Sequence, residues 1–142
     1  MESYIEMKKR HQKEVNAFPM AFAFTQEGLQ EALAKLGLGP AETDKVCTIY
    51  GFGDIVRKSD VPAFEAMTRR HKDELNSAIA EDASGEGFIY EMFQHELLNH
   101  EYPLTDDLEE TLAALCLSEE DFEKNPMLEV GLNKAIKNIS GE

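Results

Sequence analysis

Apolar residues recur at helical spacing after Ser59, and this pattern limits the possible folds more than any other feature of the chain. In the first such segment Phe64, Met67, His71 and Leu75 follow one another at intervals of three or four positions. Such a repeat gathers apolar side chains on one face of an α-helix. Glycines and prolines then divide the remaining sequence into further segments of the same kind. We therefore predict that the C-terminal third is wholly helical.

Local signals mark where several of these helices begin and end. Thr25 is a candidate N-cap for a helix that Gly37 closes, and Pro19 ends an earlier helix over residues 2–17. Thr105 is predicted to cap a later helix. Ser118 is predicted to cap the next one, because Asp121 can complete a shortened capping box. These signals predict five or six helices in all.

A small antiparallel sheet is predicted before Ser59. Residues 46–50 are rich in β-branched and aromatic side chains, and a glycine-rich turn at 51–54 leads into residues 55–58. A short apolar run over residues 20–24 supplies a third strand. The sequence therefore predicts an α+β fold, a three-stranded antiparallel sheet packed with five or six helices, in a single domain over residues 1–142.

Charge is distributed unevenly along the chain. The sequence has 14 Lys and Arg against 28 Asp and Glu, a formal net charge of −14. Residues 1–80 carry 11 basic and 12 acidic side chains, whereas residues 81–142 carry 3 and 16. Such a chain is repelled by phosphates and anionic lipids, so we expect no direct nucleic-acid or membrane partner.

The acidic excess predicts an exposed face that binds a basic protein surface. Acids in the first turn of a helix favour the helix dipole and need no partner, which explains about half of them. The rest leave two alternatives open, solubility alone and imitation of the phosphates of a nucleic acid. The predicted partner-binding residues are Glu91, Glu101, Asp106, Asp107, Glu109, Glu110, Glu119, Glu120, Asp121 and Glu123.

A histidine and glutamate set offers an enzymatic alternative. His95 and His100 are five positions apart, so on a straight helix they point about 140° away from each other and cannot form a zinc-protease motif. The couples of Glu91 with His95 and of Glu96 with His100 are typical of surface ion pairs. The alternative, a metal-dependent or acid-base enzyme, would use four residues: His11, His71, Glu96 and His100. No cofactor is predicted.

The cysteines and the first residues indicate a cytoplasmic protein. Cys47 and Cys116 show no paired spacing, which favours reduced thiols. Acidic residues near Met1, and Pro19 inside the apolar stretch that follows, are unlike an export signal. The pattern leaves the oligomeric state open.

Several short blocks resemble a family of small uncharacterised proteins encoded by bacteria, phages and mobile elements. The blocks are residues 18–24, 42–45, 51–53 with 57–60, 95–102 and 107–112. The resemblance extends over nearly the whole chain. It implies no catalytic residues, and it favours a role in a mobile element or in interaction with a host.

Overall fold

The computed structural model of this chain describes residues 2–102 and 107–141. Contacts divide the chain into two compact units. Unit 1 comprises residues 1–12 and 73–142, and unit 2 comprises residues 13–72. The single domain over residues 1–142 stays a prediction.

The described residues confirm the α+β class and the three-stranded antiparallel sheet, and they contain seven α-helices where five or six were predicted. The elements are α1 (Tyr4–Ala17), β1 (Ala21–Phe22), α2 (Gln26–Lys35), β2 (Val46–Cys47), β3 (Asp54–Arg57), α3 (Val61–Glu81), α4 (Phe88–Asn99), α5 (Glu109–Ala114), α6 (Glu119–Lys124) and α7 (Met127–Ser140). The C-terminal region is helical, as predicted. Asn125 precedes a proline and adopts an extended conformation, which separates α6 from α7.

Two of the predicted caps are present. The hydroxyl of Thr25 accepts a hydrogen bond from the backbone N–H of Gly28 at 2.9 Å. Ser118 and Asp121 form the predicted capping box at the start of α6. Thr105, the predicted cap of the preceding helix, lies outside the described residues.

Unit 2 contains the sheet, with the strands in the order β1-β3-β2. Ala21 pairs with Ile55, and Cys47 pairs with Val56. The two outer strands are only two residues long, shorter than the predicted runs 20–24 and 46–50. The second run ends early because the chain after Cys47 bends around the carboxylate of Asp54.

Unit 1 has a helical core in which α4 is central. Phe88, Ile89, Met92, Phe93 and Leu97 are buried and form one face of this helix. Buried side chains from the other helices of the unit pack against them: Tyr4, Met7, Ile79, Leu115, Leu128, Leu132 and Ala135.

A glycine permits the close approach of α7 to the beginning of α4. A Cβ atom on Gly131 would lie 2.5 Å from Cγ2 of Ile89 and 2.6 Å from the carbonyl oxygen of Gly85. Both distances are below van der Waals contact, so α7 can occupy this position only with glycine at 131.

Among the described residues, no helix combines the length and apolar composition that crossing a bilayer requires.

Candidate functional site

A groove of about 440 Å³ follows the outer side of α4 in unit 1. Gly87, directly before α4, and Tyr90, Gln94 and Leu98 of α4 recur at intervals of three or four positions and therefore form one stripe along the helix. The stripe spans eleven residue steps, or about 16 Å at 1.5 Å per residue. The groove is therefore about three helical turns long.

Apolar and acidic side chains line this groove together. Ile5 and Leu98 line it although 39% and 53% of their surface is exposed to solvent. Glu86 and Glu91 contribute two carboxylates to the same groove. Glu91 also accepts a hydrogen bond from the backbone N–H of Ile5 at 3.2 Å, which ties α1 to α4 at this point.

The inner side of α4 carries a buried carboxylate. Glu96 is 2% exposed and accepts hydrogen bonds from the phenol of Tyr4, at 2.5 Å, and from the ammonium group of Lys8. Burial alone raises the pKa of Glu96, but the bonds from Lys8 and Tyr4 outweigh burial and hold the pKa below its ordinary value. Burial, followed by the bond to Glu96, raises the pKa of Tyr4.

His100 lies beside this carboxylate. Its Nε2 atom is 3.4 Å from Oε2 of Glu96, and its Nδ1 atom is 4.0 Å from Oε2 of Glu110. The predicted couple of Glu96 and His100 is therefore present. The prediction that it lies on the surface is wrong for Glu96, because the helix face that carries position 96 packs against α1.

The other two histidines of the enzymatic alternative have different glutamate partners. His11 lies 3.1 Å from Glu74, and His71 lies 2.8 Å from Glu14. Within residues 2–102 and 107–141, no three His, Cys, Asp or Glu side chains are grouped so that they could hold a metal ion. The structure therefore unites only Glu96 and His100 of the four residues.

Arginines reinforce both of these pairs. Arg10 lies 2.9 Å from Glu74, and Arg70 hydrogen-bonds to Glu14. The bond from Arg70, followed by that from His71, lowers the pKa of Glu14 to about 2. Glu74 and Glu14, the glutamates beside His11 and His71, are therefore members of ion pairs with arginines.

All ten acids of the predicted partner-binding face belong to unit 1. Glu101, Glu109, Glu119 and Glu123 are exposed. Asp106 lies outside the described residues. Several of the ten carboxylates therefore lie at the protein surface. Their role in binding a partner stays a prediction.

Some of these acids also have local structural partners. Asp107 accepts a hydrogen bond from the backbone N–H of Glu109 at 2.9 Å. Asp121 completes the capping box of α6, and Glu120 lies 2.9 Å from the ammonium group of Lys124. Part of the acidic excess therefore stabilises the short helices α5 and α6, as predicted for acids near the start of a helix.

Sequence reasoning missed two aspartates that organise loops. Asp82 accepts hydrogen bonds from the backbone N–H groups of Ser84, Gly85, Gly87 and Ile89, and thereby caps the start of α4. Burial raises the pKa of Asp82, but these bonds outweigh burial and lower it. An aspartate two residues before a Ser-Gly pair is a turn signal that could have identified it.

The second missed aspartate is Asp54 of unit 2. Its carboxylate is 1% exposed and accepts bonds from the hydroxyl of Thr48 and from the backbone N–H groups of Ile49, Tyr50 and Phe52, at 2.7–3.1 Å. Burial raises the pKa of Asp54, but the bonds from Tyr50 and Ile49, with the others, lower it well below its ordinary value. Asp54 therefore holds the β2–β3 loop in shape.

The two units differ sharply in charge. Unit 1 contains 6 basic and 20 acidic residues, whereas unit 2 contains 8 of each. The formal net charge of −14 therefore belongs entirely to unit 1. The groove beside α4 lies in the charged unit.

These features define a small α+β protein whose charged unit carries an open groove with an apolar and acidic lining. The chain belongs to the family of unknown function DUF7659, whose model matches residues 3–138. This membership confirms the resemblance to an uncharacterised family. No curated protein and no solved structure matches the chain significantly.

Proposed function

We propose that this chain is a non-enzymatic interaction module whose unit 1 binds a basic, amphipathic segment of a partner protein. The observation that carries the proposal is the groove beside α4, where exposed Ile5 and Leu98 adjoin Glu86 and Glu91. A cytoplasmic location and a mobile-element origin are further parts of the proposal. Reduced cysteines and the family resemblance motivate them.

The chemistry of the groove supports a ligand with two faces. Exposed apolar side chains favour burial against an apolar stripe, and carboxylates attract Lys and Arg beside that stripe. A helix laid in a groove presents such a stripe at the same three- or four-residue spacing. A length of about 16 Å accommodates about three turns of such a helix.

The charge of unit 1 supports the basic character of the partner. With 20 acidic and 6 basic residues, this unit attracts cationic segments over a distance of about one Debye length, roughly 10 Å at 0.1 M salt. The exposed glutamates of α5 and α6 add to this attraction. The attraction should accelerate association, while Leu98 and Ile5 should slow dissociation.

A synthetic peptide tests the proposal directly. The probe is a 14-residue helix with leucines on one face and lysines on the other, and its control is a scrambled peptide of the same composition. We expect fluorescence anisotropy to show tighter binding of the amphipathic peptide, weakened at least about tenfold by Leu98→Glu. Raising the salt from about 50 to 500 mM should weaken binding similarly.

Charge reversal separates the acidic surface from the groove. Reversal of Glu109, Glu110 and Glu120 together should weaken the electrostatic part of binding, whereas Glu65→Lys at an exposed position of unit 2 should leave it nearly unchanged. Equal binding of the two peptides, or an affinity indifferent to salt and to Leu98→Glu, would contradict the proposal.

A further inference from the structure

Four aromatic side chains of unit 2 are exposed to solvent. Phe22, Phe24, Tyr50 and Phe52 keep 60%, 80%, 54% and 81% of their surface accessible. We call these four residues the aromatic surface. Large aromatic side chains left in water mark interaction sites when they adjoin one another. The acidic groove of unit 1 does not include them.

The fold brings the two segments that carry these side chains together. Side chains alternate along an extended chain, so Phe22 and Phe24 point away from Ala21 and Ala23, which pack in the core of unit 2. The ring of Phe24 lies against Gly53, where a Cβ atom would come within 2.5 Å of the ring. Gly53 has a φ of +86°, so glycine is favoured here for both reasons.

The buried carboxylate of Asp54 fixes the loop that carries the other two aromatics. It binds the backbone N–H groups of Tyr50 and Phe52, at 2.9 and 3.1 Å, and Asp54 itself pairs with Phe22 across the sheet. The ring of Tyr50 also meets that of buried Phe64 edge-on, with centroids 6.0 Å apart. The aromatic surface is therefore held in place before any partner arrives, which lowers the entropy cost of binding.

We infer that the aromatic surface is a self-association site, occupied by the same surface of a second copy of this chain. The charge of the units supports this occupant. Unit 1 carries the whole net charge of −14, so two copies repel each other through it, whereas unit 2 has equal numbers of acidic and basic residues. Unit 2 is therefore the unit whose own charge least opposes contact between two copies.

A groove along β1, one of the two outer strands of the sheet, suits a two-fold contact. It has a volume of about 480 Å³, and Ala21 and Phe22 line it together with Glu31 and Lys35 of α2. Because it carries one acid and one base, a two-fold axis can bring Glu31 of one copy towards Lys35 of the other. Isologous contacts need this kind of self-complementarity.

The exposed aromatic area is sufficient for a weak dimer. With about 200 Å² for each aromatic side chain, the exposed fractions leave about 550 Å² per copy. Two copies would bury about 1,100 Å², just above the roughly 1,000 Å² expected of a specific interface. We therefore expect a dissociation constant on the order of 10 µM, typical of small interfaces.

Sedimentation equilibrium of the full chain, from about 1 to 200 µM, tests this inference. Phe52→Glu and Phe24→Glu should each raise the dissociation constant at least about tenfold. Phe52→Glu is the safer variant for folding, because Phe24 contacts Gly53. The matched control is Ala66→Glu, which adds the same charge at another exposed position of unit 2 and should leave self-association unchanged.

Salt distinguishes this surface from the groove of unit 1. Self-association should strengthen with added salt, because salt screens the repulsion between two acidic units, whereas binding of a basic peptide should weaken. A chain that stays monomeric at every concentration and salt level would overturn the inference. So would a dimer unaffected by both phenylalanine variants, or a monomer that uses Phe52 to bind phosphatidylcholine vesicles.

Discussion

The phenol of Tyr4 donates a hydrogen bond to the carboxylate of Glu96, 92 positions further along the chain. Lys8, one helical turn after Tyr4, binds the same oxygen. Both partners of this oxygen atom therefore come from α1, while the carboxylate comes from α4. This cluster fastens the first helix to the helix that carries the groove.

Removal of the phenol tests the strength of this attachment. Tyr4→Phe keeps the ring, which meets Phe88 edge-on with centroids 5.7 Å apart, but deletes the donor to Glu96. Hydrogen bonds to charged groups contribute about 1.5–3 kcal/mol, so we expect a loss of that size in the free energy of unfolding in urea. Tyr50→Phe is the control and should change stability by less than about 0.5 kcal/mol.

Acid should weaken the same cluster. The pKa of Glu96 lies below its ordinary value of 4.5, so the ionised carboxylate stabilises the folded state above about pH 4.5, and this contribution is lost as the pH falls further. Glu96→Gln removes the charge. The stability difference between wild type and this variant should therefore be largest near pH 7 and shrink towards pH 3.

Urea unfolding at several pH values measures this difference. Glu65→Gln, at an exposed position of α3, should match the wild type throughout. A difference that stays constant or grows on acidification would show that the charge of Glu96 does not stabilise the fold.

Asp54 should control the order of the β2–β3 loop. Asp54→Ala leaves the N–H groups of Ile49, Tyr50 and Phe52 without their acceptor, and we expect a loss of about 2–4 kcal/mol in unfolding free energy. Hydrogen exchange at these three amides should accelerate. Asp44→Ala, at an exposed position of the same unit, should leave both measurements near wild type.

Gly131 tests the packing of α7 on α4. Gly131→Ala places a Cβ atom 2.5 Å from Ile89, so the helices must separate, at a cost of about 1–3 kcal/mol. The gain in helix propensity, about 1 kcal/mol, offsets only part of it. Asn133→Ala lies on the exposed side of α7 and should be neutral or stabilising in thermal unfolding. Equal melting temperatures for the two variants would contradict this close packing.

The extent of sequence-based prediction follows from the range of the forces involved. Thr25 and Ser118 could be identified as caps because a cap bonds to groups only two or three residues away. Helix α3 could be predicted because the spacing of its apolar residues is a property of one continuous segment. Strand lengths were predicted less well, because the bend around Asp54 depends on four donors converging on one buried carboxylate.

The candidate site shows the same division. The acidic excess, including Glu91, could be read from the sequence. The groove could not be predicted, because it combines Ile5 of α1 with a stripe of residues along α4. The enzymatic alternative includes His11 and His71, yet each is paired with a glutamate. Which carboxylate a histidine meets depends on helix packing, and periodicity carries no information about it.

The sequence by itself determined the α+β class, most helix boundaries, the three-stranded antiparallel sheet and the total charge. Spacing and capping act within a few residues, and charge is a sum over the chain. Only the tertiary structure decided that Glu96 is buried under Tyr4 and Lys8, that unit 1 carries the whole excess of charge, and that four aromatic side chains of unit 2 stay in water. These features depend on contacts between distant segments, and such contacts form only when the helices and strands pack together.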